Sequence, residues 1–265
     1  MSNKLSKISI ILFTVASSPL SYPEKLKKLR DIGYQSVQGG IAEGMTLKEQ
    51  KDLLDSLGME FSCLGGGFED IEKNPEKYIE ACEYFDCDEI MVGTMPTAHR
   101  ADYDGYMKAI ERMNVMGQAL SKGGVYLAYH NHAQEFRRFS NGKTGMDVLF
   151  EGLDPAGVHF LPDTHWIQAG GGDIIEWLNK LKGRIQYLHM KDYRIAPTNY
   201  NTGIGEVDKQ FAEVGQGNLE WPLIIETALS VGIKAFIVEQ DRSYGIDPFD
   251  CAATSFEALK GFGLS

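Results

Sequence analysis

Four short stretches in the second half of the chain gather the side chains that could do chemistry. They are Tyr129-His130-Asn131-His132-Ala133-Gln134-Glu135-Phe136, Leu161-Pro162-Asp163-Thr164-His165-Trp166, Leu188-His189-Met190-Lys191-Asp192 and Val238-Glu239-Gln240-Asp241. Of the six histidines, five lie from residue 130 onward and four fall within these stretches. Carboxylates and imidazoles crowded together repel one another or shift their pKa values unless a cation neutralises them. Mixed Asp, Glu and His ligation without thiolates suits Mn²⁺, Mg²⁺, Co²⁺ or Zn²⁺ with open positions, and argues against a structural zinc site. An ion held in this way polarises a substrate carbonyl and grips a neighbouring hydroxyl.

The elements that must position these groups are legible around them. Eight short apolar runs recur, at residues 8–13, 36–38, 60–64, 89–92, 125–129, 158–161, 185–188 and 235–238. Their hydrophobicity is continuous rather than alternating, as expected of strands buried in a parallel sheet. Between them lie amphipathic helical segments. Leu26, Leu29 and Ile32 share one face, and Thr46 with Glu49 forms a capping box ahead of Leu53, Leu54 and Leu57. Gly33 and Gly58 are placed to close these two helices. Residues 106–120, 221–229 and 252–259 are predicted as later helices.

Alternating β and α elements leave a closed barrel or an open doubly wound sheet. The turn after the first run, Thr14-Val15-Ala16-Ser17-Ser18, lacks the GxGxxG of a dinucleotide-binding sheet. Gly65-Gly66-Gly67 after the third run reads as a flexible loop. The expectation is therefore one (β/α)₈ TIM barrel, class α/β, over residues 1–265, a length typical of that fold. In such a barrel function sits where the strands end, and all four stretches lie at strand ends.

Composition narrows the partners. The chain is 43% hydrophobic and 24% charged with a net charge of -11, so the basic stripe needed for nucleic acid is missing. No apolar run approaches the ~20 residues needed to span a bilayer, so no membrane association is expected. Cys63, Cys82, Cys87 and Cys251 form neither a CxxC pair nor a disulfide framework, which points to reduced thiols in the cytoplasm. Lys4 and Lys7 followed by an apolar run and Ala16, Ser17 and Ser18 resemble a short signal peptide. A first buried strand is the preferred reading, because the barrel requires one.

Taken in this order and spacing, the four strand-end stretches, with Val214-Gly215-Gln216-Gly217-Asn218, resemble the sugar phosphate isomerase/epimerase family with the xylose-isomerase-like barrel. The resemblance covers nearly the whole chain and is strongest over residues 129–241. It implies one divalent metal, Mn²⁺ foremost, held by a Glu, an Asp, a His and a second Glu from strands five to eight. Carried over, the ligands are Asp163, His189 and Glu239, with Glu135 preferred to His130 at the fifth strand because a second carboxylate better offsets a divalent charge. The resemblance also implies that Glu135 and Glu239 can move protons. His130, His132 and His165 are further acid/base candidates, since imidazole titrates nearest neutral pH, and Lys191 could balance charge on an enediolate.

The implied activity is isomerisation or epimerisation of a sugar or keto-sugar: proton removal beside a carbonyl, a metal-held enediolate, and proton return. The alternative is a lyase of the inosose dehydratase or 3-keto-glycoside type, in which the same first step leads to β-elimination. A barrel that binds sugar without turnover, or a nuclease on the same scaffold, are remaining readings, and the acidic charge weighs against the nuclease. The partner is a small-molecule sugar, read as unphosphorylated because no basic pocket is evident. Assembly into a homo-oligomer stays open.

Blander roles compete for several residues. His99 and His159 read as hydrogen-bonded core histidines. Trp166 and Phe136 are either sugar-stacking or packing aromatics. Gly215 and Gly217 shape a loop rather than cradle a phosphate, and Asp192 and Asp241 read as orienting or solvent-facing charges. Gln38 ends the second strand where the resembled family often carries an acid, which weakens ionic substrate binding there.

Overall fold

All eight apolar runs form strands of one parallel sheet in the structure, a computed structural model that describes residues 7–196 and 208–265. Lys4 lies outside the described residues. In chain order the first elements are β1 (Lys7–Ile11), α1 (Tyr22–Ile32), β2 (Ser36–Gly39), α2 (Leu47–Leu57), β3 (Glu60–Gly66), α3 (Phe68–Lys73), α4 (Pro75–Phe85) and β4 (Glu89–Val92). They are followed by α5 (Tyr103–Ser121), β5 (Tyr126–His130), α6 (Gly145–Gly152), β6 (Val158–Leu161), α7 (Thr164–Ala169), α8 (Ile174–Lys180) and β7 (Tyr187–Met190). The last are β8 (Asp192–Ile195), β9 (Lys209–Ala212), α9 (Trp221–Val231), β10 (Ala235–Val238) and α10 (Pro248–Gly261).

The eight barrel strands run β6-β5-β4-β3-β2-β1-β10-β7. Two isolated parallel bridges, Phe160 with Ile185 and Asp163 with His189, nearly close the ring between β6 and β7. The chain is thus an eight-stranded TIM barrel. One addition was not expected: β8 and β9 form a separate antiparallel hairpin directly after β7.

Local chemistry explains the boundaries. Thr46 and Glu49 make the expected capping box on α2, and Gly58 ends that helix in the left-handed region at φ 61°. Gly33 ends α1 at φ 130°, where a Cβ would lie 2.5 Å from the Phe256 ring. The first apolar run splits, because Leu12–Val15 turns into a 3₁₀ helix after β1. Gly65-Gly66-Gly67 is not a loose loop: Gly65 and Gly66 finish β3, and Gly67 caps α3.

Side-chain alternation divides each strand between two cores. Outward residues such as Phe236, Val238, Leu127 and Tyr129 pack beneath the helices. Inward residues Ile11, Cys63, Ala128, Leu161, Tyr187, Ala235 and Ile237 form an apolar plug in the lumen. One pleat above the plug, the same inward phase brings His130, Asp163, His189 and Glu239 to the C-terminal mouth. Among the described residues no helix is long and apolar enough to cross a membrane.

Candidate metal centre

His130, Asp163, His189 and Glu239 are all buried, and one ligand-type atom from each lies within 4.8 Å of the others. His130 is the last residue of β5 and its Nδ1–H donates to the carbonyl of Leu161 at 3.2 Å. That leaves Nε2 facing Glu239, with Oε2 4.0 Å away. Asp163 divides its carboxylate. Oδ1 caps α7 by accepting from the Trp166 backbone N–H at 2.8 Å, while Oδ2 is buried with no hydrogen-bond partner. The Asp163 backbone N–H donates to Asn131 Oδ1 at 3.2 Å, which ties the ends of β5 and β6 together. His189 sits between two acceptors, Glu239 Oε2 at 2.8 Å from Nδ1 and Gln38 Oε1 at 2.6 Å from Nε2.

Glu135, expected as the fifth-strand ligand, is not in this group. It occupies the one-turn 3₁₀ helix Ala133–Phe136, where its Oε2 accepts from the His132 backbone N–H at 2.7 Å. Its Oε1 accepts from Tyr129 Oη at 2.9 Å and Gln134 Nε2 at 3.1 Å. A carboxylate with its oxygens engaged three residues from its own cap satisfies the turn rather than an ion. The strand-end position belongs to His130.

Lys191 is the cation of the site. It is 1% exposed, and its Nζ is 2.6 Å from Asp241, 3.4 Å from Glu239 and 3.8 Å from Asp163. Burial pulls its pKa down, but those three carboxylates outweigh burial and raise it. Glu239 shows the converse. Burial pushes its carboxyl up, yet His189 and Lys191 hold it well below the usual range. Burial dominates Asp163 and drives it well above a normal aspartate, with Lys191 opposing. Burial likewise depresses His130, and lowers His132 and His165 to about 4 each, Lys191 adding to the effect on both. At neutral pH the His132 and His165 imidazoles are therefore neutral.

The four donors fit a divalent cation. Two imidazole nitrogens and two carboxylates converge, one carboxylate oxygen accepts no hydrogen bond, and no thiolate is in the group. His132 and His165 stand at the rim beside Trp166, with ring centroids 5.4 and 4.6 Å from it. Lys191 Nζ lies 4.8 Å over the Trp166 ring and 5.3 Å over Phe211 of β9. The indole N–H is buried without a partner.

The remaining assignments separate cleanly. Phe136 packs edge-on to Trp177 in the core. Asp192 is fully buried and collects the backbone N–H groups of Tyr193, Gly215, Gly217 and Leu219, together with the Trp221 indole at 2.6 Å. The glycine loop thus binds an anion, but the anion is the chain's own. A Cβ on Gly217 would lie 2.2 Å from Asp192 Oδ1. His159 is buried against Glu89, as expected. His99 is not: it is part-buried in a 3₁₀ turn and hydrogen-bonded to Arg112 at 2.9 Å. Gln38 is the residue that sequence reasoning undervalued. It carries no charge, and only the fold shows it against His189.

Comparison with known proteins agrees with this fold. The sequence matches the family described as xylose isomerase-like TIM barrel over residues 26–261. Inosose dehydratase of Geobacillus thermodenitrificans is 27% identical over 162 residues, which are 57% of this chain and 52% of that protein. The chain spans about half the length of the curated relatives it matches. A sugar phosphate isomerase/epimerase from Parabacteroides distasonis superposes with a TM-score of 0.77 at 22% identity, over 98% of this chain and 96% of the other. A xylose isomerase-like TIM barrel protein from Mycobacterium smegmatis, solved in complex with magnesium, superposes with a TM-score of 0.68 at 16% identity, over 97% and 96%. At these identities the two structures show the shared fold.

Proposed function

The chain belongs to the xylose isomerase-like TIM barrel family, and on that premise we propose that it is a divalent-metal-dependent enzyme removing a proton beside the carbonyl of a keto-sugar or keto-cyclitol. The observation that carries this reading is the convergence of His130, Asp163, His189 and Glu239 at the C-terminal mouth. A divalent ion held there, Mn²⁺ foremost, supplies Lewis-acid polarisation of the carbonyl.

The chain's own groups supply the rest. His132 and His165 are neutral down to about pH 4 and can accept a proton at physiological pH. Lys191, charged and fixed among three carboxylates, offers positive charge to oxygen anions that develop in the reaction. Trp166 provides a flat apolar face beside both imidazoles, of the kind that packs against a sugar ring. The substrate is a small uncharged polyol and the setting the cytoplasm.

Two outcomes can follow proton removal. Elimination of water is favoured by the withdrawal of Glu135 into its turn, which leaves no fifth-strand carboxylate to pair with Glu239 for a paired-glutamate epimerisation. The match to proteins named inosose dehydratase supports the same reading. Epimerisation or isomerisation is the second reading, supported by likeness to a protein named sugar phosphate isomerase/epimerase. Incubation of keto-sugars and inososes with the Mn²⁺-loaded chain in ²H₂O tests both. Loss of 18 mass units marks elimination. Unchanged mass apart from solvent deuterium at the carbon beside the carbonyl marks epimerisation. The absence of both water loss and deuterium uptake on all of them would overturn the proposal.

A further inference from the structure

The lumen holds one polar residue that none of the roles above absorbs. Gln38 is the penultimate residue of β2 at 0% exposure, and its Oε1 lies 2.6 Å from His189 Nε2. Its own Nε2 makes no hydrogen bond. The register around it is irregular. Val37 pairs with Phe61 and Gln38 with Cys63, so β3 carries one extra residue, Ser62, opposite this point. Ser62 Oγ then donates to the Val37 carbonyl at 3.2 Å and meets Ser9 Oγ at 2.9 Å. A bulge of this kind re-aims the side chain beside it, and here it accompanies an amide turned into the lumen.

We propose that Gln38 is a positioning residue that fixes the tautomer and ring orientation of His189. This rests on the metal-site reading above. A neutral imidazole carries one N–H, and which nitrogen holds it is set by the partner of the other. An amide oxygen only accepts, so Nε2 must donate to it. The proton on Nε2 leaves the Nδ1 lone pair free for an ion shared with Glu239 Oε2, 2.8 Å away; without an ion that carboxylate competes for a proton on Nδ1. The opposite tautomer would set two acceptors against each other at 2.6 Å, with a proton on the nitrogen that faces the ion. Gln38 thereby excludes the form of His189 that cannot ligate, and does so without adding charge to the site.

Two measurements on the intact chain test this. ¹⁵N-resolved NMR of the histidine side chains with diamagnetic Mg²⁺ bound is expected to show a proton on His189 Nε2; a bare Nε2 would overturn the proposal. Calorimetric titration with Mn²⁺ is expected to show a ~10–100-fold loss of affinity in Gln38→Leu, with Gln38→Glu, which keeps an acceptor, within about threefold of the native chain. Gln38→Met removes the acceptor at similar volume and serves if the leucine variant does not fold. Native-like affinity in Gln38→Met or Gln38→Leu would contradict the assignment. If the native chain takes up no Mn²⁺, the metal-site reading itself fails; native uptake left unchanged in the Gln38 variants fails this inference alone.

Discussion

Two carboxylate–imidazole pairs occupy the same barrel lumen, on opposite sides of its apolar plug, and only one has the makings of a reaction centre. Near the N-terminal ends of the strands, Glu89 Oε1 meets His159 Nδ1 at 2.5 Å and Gln186 Nε2 at 2.7 Å. His159 stacks on Tyr126 with centroids 3.9 Å apart and planes 11° from parallel. Near the C-terminal ends, Glu239 meets His189 at 2.8 Å, but His130, Asp163 and Lys191 crowd the same carboxylate. Each layer has one buried carboxylate oxygen that accepts no hydrogen bond, Glu89 Oε2 and Asp163 Oδ2. An orphaned atom therefore does not tell them apart. The number of ligand-type atoms does. The lower layer is a pair with an amide and a ring to support it, whereas the upper layer has more donors than its own contacts can satisfy.

The sharpest way to break this contrast is to disable each layer in turn. Glu239→Gln is expected to lower kcat/KM by about 10³-fold, equivalent to ~4 kcal/mol of transition-state stabilisation. Glu89→Ala leaves a buried imidazole unpaired and is expected to cost about 3–5 kcal/mol of stability, read as a lower Tm, with kcat retained. Equal losses of turnover in both variants would erase the distinction.

Lys191→Met sharpens the upper layer. Loss of the ammonium is expected to reduce kcat by about 10–100-fold, because the charge that faces developing oxyanions is gone. Mn²⁺ affinity should hold or rise, since a competing cation has left Glu239 and Asp163. A simultaneous loss of metal binding would mean that Lys191 organises the ligands instead.

The lower layer allows the complementary test. Replacing Glu89 and His159 together with apolar residues of similar volume should recover stability to within about 1–2 kcal/mol of the native chain, as buried ion pairs often allow. The same treatment of His189 and Glu239 would abolish activity.

The smallest effect concerns acid. His132 and His165 have folded pKa values of about 4, lowered by burial, below the ~6.5 of an unfolded histidine. Between those values the unfolded chain binds more protons, so their contribution to stability is full above about pH 6.5 and falls as pH drops towards 4. Thermal melts from pH 7 to 4.5 should show this slope, and replacing both residues with glutamine should flatten it.

Much of the fold was legible because strand burial and helix capping are local. The eight apolar runs, the Thr46–Glu49 box and the glycine stop at Gly58 depend on neighbours a few residues away. At the site, Asp163, His189 and Glu239 were legible because each ends a strand in the inward phase. Glu135 misled through charge arithmetic: a second carboxylate suits a divalent ion, but its place in a one-turn helix commits it to the His132 backbone. Gln38 escaped because a neutral amide gives no charge signal and its aim accompanies a bulge visible only in the pairing of β2 with β3. The glycine loop kept its anion hidden because Asp192 lies more than twenty residues earlier in the chain. The β8–β9 hairpin was missed for a similar reason, since its two strands pair across an intervening segment.

The account stands most directly on a titration of the metal-free chain with Mn²⁺, followed by the paramagnetic signal of the free ion, in native protein and in Asp163→Ala. It predicts one tightly held ion per chain in the former and none at the same concentrations in the latter. Uptake that is absent from the native chain, or undiminished when Asp163 is removed, would contradict it.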